Sequence, residues 1–469
     1  MRIIGIVWIF FVFNSGLNGQ ITYSMLSFGD TLSNNRGSAS VIDADLNAYF
    51  VGTTSTGLAA SDDVALYKFA PTGDILWNYK YGTEDNEFVN NMIFSEDQFL
   101  IICGDVHDAE SSDLNGFIMK IDTLGNLIWY NTYGTDSATD DFYGITLLQN
   151  GNIAITGFTS SETGTGNDVL LVKYSPEGIL LDEFVFGAPV NDIGMGIAET
   201  VDGDLIISGD RATAGLFYNA FIARINEANE IVWDHFIDLP VNSGCKTLRK
   251  TYSGNFILCG ESATEISPQF DILIATFDDA GNIILLNTIP GIGVEAAYDI
   301  TEPEDGKYFV TGYGYNVATD NNDIIVIYTD SELNEIDRKY YGSAGADLGY
   351  DIQSDQDGSF WVSGFTTSGA HVLFTLIYDV FDISNTAEGI GLTTNIKIYP
   401  NPVSDHIIIE TKVKIDKLEL LDINGRTLFS LINFSGEEKL YIPLDVESGI
   451  FMLKIYSGEE SIVKKIIAG

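Results

Sequence analysis

From Ile21 to about residue 383, short runs of apolar, β-branched and aromatic residues alternate with polar pairs rich in Gly, Asn and Asp. No segment places apolar residues at helical spacing, so the pattern predicts strands and tight turns throughout. One stretch shows the unit. "YGITLLQ" runs into Asn150-Gly151, then "NIAITGF", a loop, "DVLLVKY", a turn at Pro176-Glu177-Gly178 and "ILLDEFVFG". Asn-Gly or Asp-Gly pairs at Asn150, Asp202, Asp305 and Asp357 predict two-residue type I′ hairpins.

The unit repeats. A strand ending in a small residue and glycine recurs with its glycine at Gly52, Gly104, Gly157, Gly209, Gly260, Gly312 and Gly364, at spacings of 52, 53, 52, 51, 52 and 52. A period this tight, with four antiparallel strands per repeat, predicts an all-β fold: a seven-bladed β-propeller. A second marker lies in the fourth strand, which ends in an aromatic residue and glycine at Tyr81-Gly82, Tyr133-Gly134, Phe186-Gly187 and Tyr341-Gly342. Trp77, Trp129 and Trp233 share one position inside that strand and are read as blade-to-blade packing.

The ends of the repeat array fit each other. "ITYSMLSFG", Ile21 to Gly29, is a fourth strand without its first three, and the seventh repeat has three strands and lacks the fourth. The N-terminal strand is therefore expected to complete the seventh blade and close the ring.

Residues 1–20 carry Arg2, an apolar run from Ile3 to Phe13 and small polar residues, the layout of a secretory signal peptide. The propeller is assigned to 21–383, a linker to 384–395, and a small C-terminal β-sandwich to 396–469. No other segment is long enough to cross a membrane, so a transmembrane protein is not expected. Net charge is -44, and residues 21–394 hold 13 Lys or Arg against 56 Asp or Glu. That balance repels phosphates and argues against nucleic acid as a partner. The three cysteines do not make a disulfide scaffold. With a turn at Ser253-Gly254, Cys245 is expected to face Ser262 and Cys259 to face Leu248, out of register for a bridge.

In the last seventy residues "YPNPV", "LLDINGR", "SGIFMLKI" and the terminal "KKIIAG" occur in order. This stretch resembles the type A C-terminal sorting domain of the type IX secretion system. The residues that carry the resemblance are Tyr399, Pro400, Asn401, Pro402, Asp422, Gly425, Arg426, Gly449, Lys454, Lys464 and Lys465. The resemblance implies export to the periplasm, passage across the outer membrane with the type IX machinery as partner, and release or attachment at the cell surface. The repeat array likewise resembles the bacterial seven-bladed propeller repeat family that often accompanies such tails, a family without a settled activity.

Chemistry is sparse. Only His107, His235, His371 and His406 exist, none in a nucleophile elbow or a zinc spacing, so no catalytic residue is assigned. Two polar positions do recur. Glu87, Asp140, Asp192, Glu295 and Asp347 stand seventeen residues before the marker glycine, with Asn35 and Ser243 in the other blades. Asp63, Asn115, Asp168, Asn219, Asp271, Asp323 and His371 precede the third strand. One reading makes both sets caps of loop N–H groups; the other makes the first a ring of carboxylates holding Ca²⁺ or a hydroxyl-rich or cationic ligand. Asp43, Asp45 and Asn47, beside Asp355 and Asp357, form a second candidate for Ca²⁺. The leading expectation is a monomeric, non-catalytic, secreted or surface-displayed propeller that binds an extracellular glycan or protein through its acidic loop face. The alternative is a secreted carbohydrate-active or other hydrolytic enzyme, its acids hidden among many, with the irregular fourth and fifth blades the first place to look.

Overall fold

The computed structural model describes residues 10–11, 24–29, 33–55, 61–107, 114–134, 138–160, 166–188, 190–213, 217–237, 242–263, 269–356, 358–368, 371–381, 396–399, 406–411, 415–422, 427–432, 439–443, 449–457 and 460–468. Every regular element among them is a β-strand. No helix among the described residues is long and apolar enough to cross a membrane.

The repeat array folds as successive antiparallel sheets, numbered here one to seven by the marker glycine each contains. Sheet two, for example, runs Asn86–Phe94, Leu100–His107, Leu114–Ile121 and Leu127–Tyr133. Its second and third strands are buried almost throughout, which is why they read as unbroken apolar runs, whereas no position of the fourth is fully buried. Each pair of neighbouring sheets shares an apolar cluster. Cys103, Ile118, Phe142 and Leu170, for instance, join sheets two and three. This is the layering of a β-propeller, in which no sheet can bury both faces alone.

Sheet seven combines Asp347–Ser354, Ser359–Ser368 and His371–Val380 with Ser24–Phe28 from the far end of the chain. The register sets Phe28 against Phe374 and Leu26 against Leu376. Phe28 is fully buried, and its ring lies 5.0 Å from Phe50, 4.8 Å from Tyr67 and 4.9 Å from Phe69, all three in sheet one. Outside this strand, Phe10–Phe11 adds a short pairing within the segment read as a leader, Phe10 opposite Ser27.

Two local expectations are corrected. A type I′ turn needs positive φ at both central residues, yet Gly151, Gly203 and Gly306 have it and Asn150, Asp202 and Asp305 do not. Leu148 O accepts from Gly151 N at 2.9 Å and Thr200 O from Gly203 N at 3.4 Å, so these two turns are type I followed by a left-handed glycine. Asp357 lies outside the described residues. The cysteine register also differs: the turn is centred on Ser253, which sets Thr247 opposite Cys259, and the bulge at Lys246 moves Cys245 one residue further, opposite Gly260. All three thiols remain free and buried.

The C-terminal unit is a sandwich. Ile396–Tyr399, His406–Thr411 and Lys439–Pro443 form one sheet. Thr427–Ile432, Lys417–Asp422, Gly449–Ser457 and Glu460–Ala468 form the other. Ile407, Ile409 and Ile442 meet Leu418, Leu453 and Ile455 between them.

Because Phe28 joins sheet seven to sheet one, Phe28→Ala should lower the unfolding free energy by about 3–5 kcal/mol. Denaturant titration checks this; a change of about 0.5 kcal/mol or less, the range of surface substitutions, would mean that the strand is not docked as described.

Candidate functional site

Every one of the seven first strands has its register broken at one equivalent place. The extra residues are Ser38, Asn90, Tyr143, Met195, Lys246, Tyr298 and Tyr350. Each stands fourteen residues before a marker glycine. A bulge leaves one residue unpaired and re-aims its side chain. Here all seven are half-buried and line one cavity of about 460 Å³, whose wall is built from the first strands of all seven sheets.

The marker glycine and the bulge are one device. A Cβ built on Gly104 would collide with the Phe88 carbonyl oxygen, and one on Gly157 with that of Asp141; the other five marker glycines meet the equivalent carbonyl. Only glycine lets the first strand approach closely enough to form the bulge.

In five of the sheets the cavity residue meets the residue just after its marker glycine, and the pairs differ in chemistry. Tyr298 lies 6.1 Å from Tyr313, Tyr350 lies 6.0 Å from Phe365, and Tyr143 lies 6.2 Å from Phe158. Tyr298 also meets Tyr350 edge-on at 4.8 Å, and the Arg36 guanidinium sits 5.1 Å over the Tyr350 ring. Sheets six and seven therefore present an aromatic wall. Elsewhere the wall is polar: Lys246 Nζ is 3.3 Å from Glu261, and Asn90 Nδ2 donates to Asp141 Oδ1 at 3.0 Å.

The charges on this wall are compensated internally. Arg249 donates to Asp299 at 3.0 and 2.5 Å and lies 3.5 Å from Asp351. Ser40 Oγ donates to Asp351 at 2.6 Å, and the backbone N–H of Ile352 donates to Asp299 at 3.0 Å, so the network ties sheets five, six, seven and one. Burial, then the adjacent Asp141, pushes the Asp105 carboxyl upward, and the pair shares a hydrogen bond. Asp105 Oδ2 is also 3.1 Å from His107 Nε2. Asp105 and Asp141 are 6% and 5% exposed, so neither acid faces the cavity as a proton donor to a substrate.

The structure places the carboxylates singled out in the sequence elsewhere. Glu87, Asp140, Asp192, Glu295 and Asp347 are all buried at the corners between sheets rather than displayed around a mouth. Thr83 N donates to Glu87 Oε1 at 2.9 Å, Ser343 N donates to Asp347 Oδ2 at 2.7 Å, and Ala188 N donates to Asp192. These are loop caps. The aromatic-Gly marker follows from them: a side chain on Gly187 would strike both Asp168 and Asp192. Asp43 Oδ1 accepts from Asp45 N at 3.0 Å and Asn47 N at 2.8 Å, an Asx turn, and Asp43 lies 3.4 Å from Lys68. Asp122, Asp278 and Asp330 cap turns in the same way. Among the described residues no three His, Cys, Asp or Glu side chains converge as metal ligands.

The bulge residues escaped the sequence reading because they share no residue type. Their signal was the marker glycine, counted upstream. The tryptophans are packing: Trp129 Nε1 donates to Pro176 O at 3.3 Å and Trp233 Nε1 to Asp279 O at 3.2 Å, each in the next sheet. In the tail, Tyr399 ends its strand opposite Ile408, and Asp422 pairs with Phe451. Gly449 stands opposite Ala468, Lys454 opposite Glu419 and Val463, Lys464 opposite Leu453, and Lys465 opposite Met452. Pro400, Asn401, Pro402, Gly425 and Arg426 lie outside the described residues.

Residues 397–468 match the secretion system C-terminal sorting domain. That tail marks a protein carried across the outer membrane by the type IX secretion system, often to the cell surface. A comparison with curated protein sequences finds no match to this chain. Among solved structures, PorZ from Porphyromonas gingivalis, an essential bacterial surface component of the type IX secretion system, is 11% identical with a TM-score of 0.34, over 99% of this chain and 58% of PorZ. The chain thus spans little more than half of PorZ's length. The WD40 domain of Neurospora crassa Pan2 is 12% identical, TM-score 0.48, over 74% of this chain and 89% of that one. The β-propeller domain of the Trilobed protease from Pyrococcus furiosus is 10% identical, TM-score 0.44, over 73% and 93%.

Asp210, just after the marker Gly209, gives a pH test. Burial raises its carboxyl to about 6 against the pull of Lys246 and of Cys245 N, which donates to Oδ1 at 2.6 Å. A raised carboxyl means that the folded state holds the proton more tightly. Its contribution to stability is present below the ordinary carboxylate range, about 4, and is lost as pH rises through about 6. Melting curves from pH 4 to 7 should therefore fall less steeply for Asp210→Asn, which keeps the acceptor for Cys245, than for the parent chain; equal slopes would refute the assignment.

Proposed function

We propose that the chain is a seven-bladed propeller, closed by its N-terminal strand, that serves outside the cell as a non-catalytic receptor for a glycan or protein segment. Residues 1–20 act as the leader, 21–383 as the receptor, 384–395 as the linker and 396–469 as the export tail. Closure is supported by the apolar cluster in which Leu26 and Phe28 join Phe374 to Phe50 and Phe69.

The observation that carries the receptor reading is the asymmetry of the cavity. An aromatic wall of Tyr298 and Tyr350 opposes hydrogen-bonding groups whose charges are already matched by Glu261, Asp299 and Asp351. Its volume, about 460 Å³, lies in the range of small-ligand pockets, about 300–1,000 Å³. Such a wall favours a ligand with a flat apolar face and a polar edge, as a sugar ring or a peptide aromatic has, over a bare ion. The acidic loop face expected from the sequence is replaced here by this cavity, because the recurring acids are engaged as caps.

Calorimetric titration of the purified protein with neutral oligosaccharides and with short peptides should find a ligand in one of the two classes. Tyr350→Ala should weaken it at least about tenfold, about 1.4 kcal/mol. Turnover of a polysaccharide or peptide by the same preparation, abolished with the cavity variant, would replace the receptor reading by an enzymatic one.

Export is tested separately. Deleting residues 395–469 should leave the propeller in the periplasm, read by cell fractionation; normal appearance of the truncated chain outside the cell would overturn the role given to the tail.

A further inference from the structure

Three basic side chains line the cavity, and two of them are matched by acids. Lys246 Nζ is 3.3 Å from Glu261, and Arg249 lies within 3.5 Å of both Asp299 and Asp351. Arg36 is the third. Among the described residues no carboxylate stands within ion-pair distance of its guanidinium, although residues 21–394 hold 56 Asp or Glu against 13 Lys or Arg.

The repeat shows that this cation is not required by the fold. Arg36 stands sixteen residues before its marker glycine, where the other six sheets have Phe88, Asp141, Ile193, Gly244, Ala296 and Leu348. The strand register places all seven alike, each opposite the residue that follows the marker glycine. Only Arg36 is exposed; the others are buried or half-buried. A cation demanded by the packing of sheets would recur at the position and lie buried against an acid. Arg36 does neither.

The guanidinium reaches over the cavity. It sits 5.1 Å over the Tyr350 ring of sheet seven, and its charge is felt by Asp105 in sheet two and Tyr143 in sheet three. Asp105 is a poor counterion, because burial pushes its carboxyl upward, toward the uncharged form. Over an aromatic face, a guanidinium keeps its in-plane N–H groups for a planar anion. Tyr350 in turn meets Tyr298, so the cation and two rings follow one another along one side of the cavity at 5.1 and 4.8 Å.

We propose that the cavity takes an acidic sugar, a hexuronate residue whose ring packs on Tyr298 and Tyr350 and whose exocyclic carboxylate is bound by Arg36. This rests on the receptor reading above and names the class of its ligand. A bare carboxylate would leave the tyrosines uncovered, and a neutral sugar would leave the guanidinium unmatched. A uronate answers both with one rigid unit. An acidic peptide carries its carboxylate on a flexible side chain, with an ordering cost that the sugar avoids.

Calorimetric titration of the full-length protein with oligosaccharides of galacturonate, glucuronate and mannuronate, each against its methyl ester, separates charge from shape. Acid and ester share their rings and differ only at the carboxylate. One free acid should bind at least about tenfold more tightly than its ester, the factor expected of a charge-assisted hydrogen-bonded pair. Arg36→Gln should abolish that difference without moving the denaturation midpoint, since the side chain is exposed, whereas Tyr350→Ala should weaken both forms. Equal binding of acid and ester, both weakened by Tyr350→Ala, would overturn the role of Arg36 and leave the receptor reading standing. A preference for the acid that survives Arg36→Gln would place the anion elsewhere and overturn the proposal. Failure of every oligouronate to bind, or binding of acidic peptides in their place, would overturn the sugar assignment, and the receptor reading would then be decided by the neutral-sugar and peptide titrations.

Discussion

The structure depends on one close approach, that of a first-strand carbonyl to the α-carbon of the marker glycine in the strand beside it. No side chain fits between them, as Gly104 and Phe88 illustrate. The approach makes the bulge, the bulge turns one residue out of the ladder, and seven such residues together make the cavity wall. The repeated glycine is therefore a constraint on backbone distance. It leaves the neighbouring residue free to vary, and that residue is Ser38 in one sheet, Lys246 in another and Tyr350 in a third.

This division explains what could be read from the sequence. The glycine period, the four strands and the stray strand Ile21 to Gly29 all express backbone constraints, which impose the same residue at the same spacing. The sorting tail was legible for a related reason, because its landmarks occur in order. The cavity was not legible, since a site that tolerates any side chain leaves no recurring type to count. Glu87, Asp192 and Asp347 recur for a backbone reason too: each accepts a hydrogen bond from a loop N–H group at its corner, the capping role that their spacing suggested beside a ligand ring. The cysteine register slipped in part for the same physical reason as the missed cavity. A turn centred on Ser253 moves the whole pairing by one residue, and the bulge residue Lys246 moves Cys245 by one more, to Gly260.

Charge is handled locally rather than globally. Residues 21–394 carry a large acidic excess, yet several acids inside the fold are matched by Arg211, Arg249 and Arg338, and Asp105 and Asp141 share a hydrogen bond. Water screens the exposed part of the excess, which keeps the protein dispersed. The tail has nearly balanced charge, nine Lys or Arg against eleven Asp or Glu from Asn395 onward, and its own core of Ile407, Leu418 and Leu453.

The strand Ser24–Phe28 also orders events in time. It is among the first described segments to leave the ribosome, and its partner His371–Val380 follows well over three hundred residues later. A chain that emerges from its N-terminal side cannot settle this strand in its final place until residues 371–380 have emerged, so sheet seven is the last of the seven to be completed. In the interval the strand has an unsatisfied edge, and the sheets already formed have no partner for the face that Phe28 will cover.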